Sequence, residues 1–411
     1  MSTRVDELDL ILGNDKITTT FQPLVDLTTG AIVGYEGLSR GPDGSSLQMP
    51  IDLFDAALSA HRLAELDWLC RISALQTALE VGIRPPLTLF LNAEPEALTP
   101  APEHAGPVLA RAMGGLRVIV ELTERALLGK PARLLQFVET VRRYGWGIAV
   151  DDIGTHSHSV AVLSVVEPDV VKIDQAALKT MPPTTSAELI SGVQTYCRRS
   201  GARVVAEGLE TDLDVTTAHA LGAHYGQGWR FGRPEFMTAA AAATVAPIPM
   251  VNPRPHMPTR RLIHLLTRTE PAQQGDRDSI DRLTGYLLEH AADMGPNTLV
   301  LAGVQNGAFL APQIRAVLHG LASRVAYLVR LGADVDAETI PGAHGTGLAS
   351  TDPLVSEWVI AMIGLQEAIA LVASDAGDGF DAGLARRYQY AISYDPQLVT
   401  DIARAVLSRV D

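Results

Sequence analysis

Cysteine is almost absent from this sequence, which has only Cys70 and Cys197 among its 411 residues. Two cysteines inside helical patterns indicate neither a disulfide framework nor a zinc site. Long apolar runs are also absent, and no stretch is long enough to span a bilayer. The N-terminal residues MSTRVDELDLILGNDK carry charges of both signs and lack the apolar core of a secretory signal. These absences predict a cytoplasmic protein without a membrane partner.

Basic residues are outnumbered by acidic ones, 33 against 47, so the formal net charge at pH 7 is −14. Sequence-independent nucleic-acid binding needs a basic surface, and we therefore expect no nucleic-acid partner. A small anionic ligand remains compatible, because bound metal ions invert the local potential of an acidic site. A chain of 411 residues is longer than a single hydrophobic core usually supports, and its length is typical of a two-domain protein.

Short apolar runs alternate with helical patterns through the first 230 residues, and seven of them end on a polar side chain. These terminal residues are Glu36, Asn92, Glu121, Asp151 with Asp152, Lys172, Glu207 and Gln227. The alternation predicts an α/β fold, a (β/α)₈ barrel of the TIM type, in which strand ends build the active site. Converging carboxylate and amide oxygens suit Mg²⁺ or Mn²⁺. The pattern indicates metal-assisted chemistry on an anionic substrate such as a phosphate ester.

The first strand differs from the others in its expected direction. The segment TTFQPLVDL alternates apolar and polar residues, turns at Thr28–Gly30 and continues as AIVGYEGLSR. Two such segments joined by a tight turn predict a hairpin. The barrel is therefore expected to open with an antiparallel first strand.

Prolines mark a boundary between two domains. Five of them lie between Thr244 and Arg260, where neither a regular helix nor a central strand can form. We predict a barrel over residues 1–243, a proline-rich linker over 244–260 and a smaller α+β or α/β domain over 261–411.

The barrel motifs together resemble one family. FQPLVDLTTGAIVGYEGLSR, LFLNAEPEAL, VIVELTER, GIAVDDIG, PDVVKID, VVAEGLET and GAHYGQGWRFGRP are similar, in order and spacing, to the EAL domain. The resemblance runs from about Thr18 to Pro234. It implies a modified barrel that hydrolyses cyclic di-GMP to linear pGpG with two divalent metals, Mg²⁺ or Mn²⁺, in each site. It also implies a homodimer formed through the barrel.

The resemblance implies a role for each matching residue. The implied metal ligands are Glu36, Asn92, Glu121, Asp151, Asp152 and Glu207. The implied catalytic residues are Glu36, Asp152, Glu207 and Lys172, the last holding the attacking water. Arg40, Gln22 and Gln227 are implied to bind the substrate or support its site, and Glu124 to anchor the loop after Asp152.

The loop after the aspartate pair departs from the family pattern. Active members usually carry a sequence like DDFGTGYSSL, whereas this chain has DDIGTHSHSV, with His156 and Ser157 in place of a glycine and an aromatic residue. One alternative is therefore a receptor that binds cyclic di-GMP without cleaving it, and another is an interaction scaffold that binds no nucleotide. The complete set of metal ligands favours the enzyme.

The C-terminal part resembles a second family. The stretch from Arg324 to Asp411, with AYLVRLGADV, DPLVSEWVIAMIG and EAIALVASD, is similar to the DICT domain. The resemblance implies a sensory module that regulates the barrel, with an unknown ligand or partner.

Overall fold

The structure is a computed structural model that describes residues 4–94, 97, 99–123, 129–154, 160–240, 244–250, 261–306, 311–333, 335, 340–375 and 387–410. The chain divides into two compact units. The first falls within Met1–Leu127, Gln136–Thr155 and Glu167–Asn252, and the second within Leu128–Leu135, His156–Val166 and Pro253–Asp411. The second unit thus takes two short stretches from inside the predicted barrel segment. The boundaries at 243 and 260 stay a prediction.

The first unit is built on a closed barrel in which β1 to β8 follow one another in chain order. The strands are β1 (Thr18–Asp26), β2 (Ile32–Arg40), β3 (Thr88–Asn92), β4 (Arg117–Thr123), β5 (Gly147–Ile153), β6 (Val170–Asp174), β7 (Arg203–Glu207) and β8 (Tyr225–Gln227). Strand β1 is antiparallel to both β2 and β8, and all other neighbours are parallel. The predicted modified (β/α)₈ barrel with an antiparallel first strand is confirmed.

Helices alternate with these strands, and local sequence explains several of their ends. The helices up to residue 220 are α1 (Arg4–Gly13), α2 (Pro50–Ser59), α3 (Leu63–Glu80), α4 (Gly106–Gly115), α5 (Pro131–Arg143), α6 (Val160–Val166), α7 (Gln175–Thr180), α8 (Pro183–Ser200) and α9 (Asp212–Ala220). Thr211 and Asp214 form a capping box that starts α9. Gly201, at a φ of +81°, ends α8 in the left-handed conformation that favours glycine.

Four strands, β2, β4, β5 and β6, run past the polar residues that the sequence pattern placed at their ends. Strand β2 continues from Glu36 to Arg40, because its last residues pair with β1 as far as Thr18. Strand β4 continues from Glu121 to Thr123, which pairs with Asp151 of β5. Glu36 and Glu121 are therefore held inside hydrogen-bonded ladders, which fixes their backbones more firmly than a loop would.

The opposite end of the barrel is filled by apolar side chains, one of them from the predicted linker. Ile248 is fully buried in a cluster with residues such as Phe90 and Ile119. Arg117, the first residue of β4, donates a hydrogen bond to the Ile248 carbonyl. Residues 244–250 therefore contribute to the barrel core at the end where the parallel strands begin, whereas 251–260 lie outside the described residues.

The second unit contains a seven-stranded mixed sheet in the order β12-β11-β10-β13-β14-β15-β9. Its strands are β9 (Gln273–Asp276), β10 (Leu299–Asn306), β11 (Tyr327–Ala333), β12 (His344–Gly347), β13 (Glu357–Ile363), β14 (Ala368–Asp375) and β15 (Arg387–Ser393). Its helices within residues 253–411 are α10 (Leu262–Leu266), α11 (Arg277–Asp293), α12 (Pro312–Leu321) and α13 (Pro396–Leu407). Every residue of β13 is buried, as expected for a strand covered on both faces. A second, smaller sheet domain is thus present, as predicted, and its assignment as DICT-like stays a prediction.

Across the described residues, no helix combines the length and the apolar character needed to cross a membrane.

Replacing Ile248 by alanine tests the role of residues 244–250. We expect Ile248→Ala to lower the free energy of unfolding by about 2–4 kcal/mol, because it removes buried methyl groups and leaves a cavity. Urea denaturation of the full chain, followed by circular dichroism, measures this change. Leu213→Ala is the matched control, since Leu213 is 74% exposed. Equal stability of the two variants would show that the segment does not support the barrel.

Candidate active site

The polar ends of the barrel strands meet around one buried cation. Lys172 of β6 is 1% exposed, and its Nζ lies close to four carboxylates on four other strands. The distances are 2.7 Å to Glu121 Oε1, 2.7 Å to Glu207 Oε1, 3.5 Å to Glu36 Oε2 and 3.5 Å to Asp151 Oδ2. The structure therefore brings these five predicted residues into one site.

Amide side chains orient Glu36 from both sides. Asn92 Nδ2 donates to Glu36 Oε1 at 2.7 Å, and Gln227 Nε2 donates to Glu36 Oε2 at 2.6 Å. Gln227 Nε2 also donates to Gln22 Oε1 at 3.1 Å, and Gln22 Nε2 donates to the Gly232 carbonyl at 3.1 Å. Glu36 is consequently fixed by β3, β8 and β1, so its rotamer is set before any ligand arrives.

The pKa values of Lys172 and Glu36 shift in opposite directions. Burial acts to lower the pKa of Lys172, but Asp151, Glu121, Glu207 and Glu36 together raise it well above its ordinary value. Lys172 therefore stays protonated. For Glu36, burial acts to raise the pKa, while the Lys172 charge and the amide hydrogen bonds bring it below the usual range. Glu36 is thus ionised at neutral pH.

Two further carboxylates are poorly compensated. Burial and the Glu36 charge raise the pKa of Glu121 well above its ordinary value, and burial and Asp151 do the same for Glu207. Both carboxylate oxygens of Glu121 are buried and accept no well-aligned hydrogen bond from the described residues, although one lies beside Lys172. One ammonium group cannot neutralise four clustered carboxylates. A divalent cation would supply the missing charge.

The aspartate pair completes an acidic cluster. Asp151, Asp152 and Glu207 each offer an oxygen within 4.8 Å of the others, close enough to share a metal ion. The β5–β6 register shifts between Val150 and Ile153, and Asp152 adopts a φ of +59°. Such bulges often re-aim side chains beside active sites. The backbone NH of Asp152 donates to Asp151 Oδ1 at 2.8 Å, which fixes the pair locally.

The remaining predicted residues lie at the edge of the site or outside the described chain. Arg40 is half-buried at the end of β2, and its Nη1 donates to the Ser39 carbonyl at 2.8 Å. Burial lowers its pKa, while the charge of Glu36 opposes this change. Glu124, the predicted loop anchor, and His156 lie outside the described residues.

A neighbouring cavity was missed by the sequence analysis. Its volume is about 290 Å³, and it lies between β2, β3, α2 and α3, directly beside Asn92. Asp67 and Arg71 of α3 form a buried ion pair on its wall. The available signal was an acid and a base four residues apart within the apolar stripe of α3, where charged residues are rarely buried unless paired.

Comparison with protein families identifies the barrel. The EAL domain family matches residues 5–234, which is more than half of the chain. The chain belongs to the EAL domain family. The matched residues end before the sheet of the second unit, so the family assignment applies to the barrel. The predicted resemblance to the EAL domain is confirmed.

Curated relatives of this EAL protein include proteins of known and unknown activity. The chain is 28% identical over 231 residues to the cyclic di-GMP phosphodiesterase RocR of Pseudomonas aeruginosa, covering 54% of this chain and 58% of RocR. It is also 28% identical over 239 residues to the uncharacterized EAL-domain protein YkuI of Bacillus subtilis, covering 56% of this chain and 58% of YkuI. The chain thus spans somewhat more than half the length of these relatives.

Solved structures similar to this chain include proteins of Klebsiella pneumoniae and Listeria monocytogenes. BlrP1 of Klebsiella pneumoniae, in a calcium and cyclic di-GMP complex, is 25% identical with a TM-score of 0.47, covering 54% of this chain and 56% of BlrP1. An EAL-domain protein of Listeria monocytogenes is 23% identical with a TM-score of 0.47, covering 57% of this chain and 95% of that protein.

Replacing Lys172 tests whether its positive charge offsets the negative charge of the four carboxylates around it. Without metal, we expect Lys172→Met to melt at a lower temperature than the wild type, because four carboxylates then lose their shared counter-ion. Addition of Mn²⁺ should raise the melting temperature more in the variant than in the wild type, since a ligand that binds the folded state stabilises it. Differential scanning fluorimetry with EDTA or Mn²⁺ measures both effects.

Lys179→Met is the matched control for this experiment. Lys179 also pairs with a carboxylate, Asp214 at 2.8 Å, but its side chain is 60% exposed. Because Asp214 is not one of the four carboxylates around Lys172, the loss of Lys179 should not alter the response to Mn²⁺. The same response in both variants would contradict a counter-ion role for Lys172.

Proposed function

We propose that this EAL protein hydrolyses cyclic di-GMP to linear pGpG with two divalent metals. The observation that carries the proposal is the convergence of six oxygen-bearing side chains and Lys172 at the carboxyl end of the barrel. RocR, which is named a cyclic di-GMP phosphodiesterase, supports the choice of substrate. We also propose that the second unit regulates this activity and that the protein forms a homodimer through the barrel.

The donor set fits a pair of hard cations. Residues proposed to hold Mg²⁺ or Mn²⁺ are Glu36, Asn92, Glu121, Asp151, Asp152 and Glu207. Their oxygen atoms suit such ions, and the buried carboxylate of Glu121, which shares Lys172 with three other carboxylates, is suited to bind a divalent cation. When bound, two such ions lower the pKa of a water and neutralise charge on the phosphodiester.

The protein's own groups perform the remaining tasks. Lys172 stays protonated among the carboxylates and can therefore donate hydrogen bonds that orient the attacking water. Gln227 and Gln22 keep Glu36 in place through their chain of hydrogen bonds. Arg40 lies near enough to Glu36 for the charge of Glu36 to influence the pKa of Arg40. The guanidinium group of Arg40 can bind a phosphate oxygen.

A receptor that binds cyclic di-GMP without cleaving it is the second candidate. The observation that favours it is the sequence DDIGTHSHSV after the aspartate pair, which departs from the pattern of active family members. The observation against it is the retention of every proposed metal ligand.

Replacing one metal ligand distinguishes these functions. We expect Glu36→Gln to reduce pGpG formation by at least about 100-fold, because loss of a directly coordinating group should exceed the 10- to 100-fold cost of losing an outer-shell partner. Full-length protein is incubated with cyclic di-GMP and Mn²⁺, and pGpG is followed by chromatography. EDTA should abolish the wild-type reaction.

Glu188→Gln provides the control, since Glu188 is an exposed residue of α8 and should retain wild-type turnover. Undiminished turnover by Glu36→Gln would disprove the assigned site. Saturable binding of intact cyclic di-GMP by the wild type, with no product formed, would establish the receptor instead.

A further inference from the structure

The end of α6 is held by a side chain from the last helix of the chain. The last four carbonyl groups of a helix have no partner within it, and an arginine beside them stabilises the helix end. In α6 the Val165 carbonyl is one of these groups, and it accepts a hydrogen bond from Arg404 Nε of α13 at 2.7 Å. Arg404 is buried and lies 239 positions later in the chain. It therefore caps α6 through a long-range contact.

A second helix end is held by the residues that follow α13. The backbone NH of Ala132 lies in the first turn of α5, where helix donors lack a partner within the helix. It donates to the Val410 carbonyl at 3.0 Å. The neighbouring Arg409 pairs with Asp352 at 2.8 Å, which fixes this part of the chain. All of these residues belong to the second unit, which thus holds the start of α5 and the end of α6.

Helix α13 is enclosed to an unusual degree. Every residue from Ile402 to Leu407 is buried, and the helix packs against β13, β14 and α6. A helix that covers one face of a sheet normally keeps a polar side in solvent. Leu163 and Val165 of α6 are themselves fully buried. The contact between α6 and α13 is therefore part of the core of the second unit.

The two helices that are held in this way connect the strands of the metal site. Along the chain, α5 joins β4, which carries Glu121, to β5, which carries the aspartate pair, and α6 joins β5 to β6, which carries Lys172. After α6, the Asp169 NH donates to the Ile148 carbonyl at 2.8 Å, and Asp169 Oδ2 accepts from the Ile148 NH at 2.7 Å. The segment that leaves α6 is therefore tied to β5, so a shift of α6 reaches the backbones of both strands.

We propose that Arg404 is a positioning residue through which the second unit supports the metal site. This inference rests on the proposed function and adds the route by which the second unit regulates it. While Arg404 holds α6, the connection between β5 and β6 is fixed, and the aspartate pair and Lys172 keep the arrangement that metal binding needs. A signal that loosens α13 lowers the affinity for metal and, with it, turnover. The second unit therefore activates the barrel while α13 is in place.

The first test measures Mn²⁺ binding by full-length wild type, Arg404→Met and Arg404→Lys without nucleotide. Calorimetry gives the dissociation constant for Mn²⁺. We expect Arg404→Met to weaken binding by about 10-fold, the lower end of the range for groups that orient metal ligands from outside the coordination sphere. Arg404→Lys keeps a cationic donor for the Val165 carbonyl, so its affinity should stay within about threefold of the wild type.

The second test needs neither metal nor activity. Hydrogen exchange of the same proteins in EDTA, followed by mass spectrometry, reports how firmly each segment is held. We expect peptides that cover β5, α6 and β6 to exchange faster in Arg404→Met than in the wild type. Peptides that cover β1 and β2 should exchange equally in both, and Arg404→Lys should resemble the wild type.

Thr284→Val is the control for a general loss of stability. Thr284 of α11 accepts a hydrogen bond from Trp358 Nε1 at 2.9 Å, and both side chains are buried. The variant leaves a buried donor unpaired and so destabilises the second unit, while Arg404 and Val165 stay as they are. We expect it to bind Mn²⁺ as the wild type does. If Arg404→Met does not fold, Arg404→Gln replaces it, since glutamine is polar but lacks the charge.

The outcomes separate this inference from the function on which it rests. Weaker Mn²⁺ binding with faster exchange around α6, seen in Arg404→Met and not in Thr284→Val, supports the positioning role. Faster exchange with unchanged Mn²⁺ affinity, or equal weakening by Thr284→Val, overturns it. A wild type that binds Mn²⁺ but forms no pGpG overturns the phosphodiesterase, and the Mn²⁺ affinities then still decide the role of Arg404. A wild type that binds no Mn²⁺ overturns both.

Discussion

The contact of one buried ammonium group with four carboxylates is the constraint on which the carboxyl end of this barrel depends. Lys172 is on β6, and Glu36, Glu121, Asp151 and Glu207 come from β2, β4, β5 and β7. Charges of one sign placed so closely in a buried site repel strongly unless a cation lies among them. Lys172 supplies one positive charge, and the remaining negative charge makes the site suitable for divalent metal ions.

The antiparallel first strand serves this arrangement directly. Because β1 pairs with both β2 and β8, Gln22 lies opposite Glu36 and within reach of Gln227. A chain of amide hydrogen bonds therefore crosses the point where the barrel closes and ends on the Glu36 carboxylate. At the other end, Ile248 and its neighbours fill the interior with apolar side chains. One end of the barrel is thus packed for stability, and the other is kept polar for chemistry.

Much of this organisation could be predicted from periodicity and strand ends. Alternating short apolar runs predicted the barrel, and a tight turn between two strands predicted the antiparallel hairpin. The polar residues at the strand ends predicted the members of the acidic site. The pattern failed for Asp67 and Arg71, because they lie inside a helix whose apolar stripe dominates the signal. Nor did the prolines after Thr244 reveal that Ile248 is buried in the barrel, since its burial depends on long-range packing against residues such as Phe90 and Ile119.

Strand and helix periods and residue types are local properties, so the type of fold and the chemistry of the side chains can be read from the sequence. Which side chains share a site depends on how the chain closes in three dimensions. Lys172 and Glu36 are 136 positions apart, and their approach to 3.5 Å results from barrel closure. The cavity beside Asn92 is likewise a property of packing. It arises where two strands and two helices meet, so no local pattern encodes it.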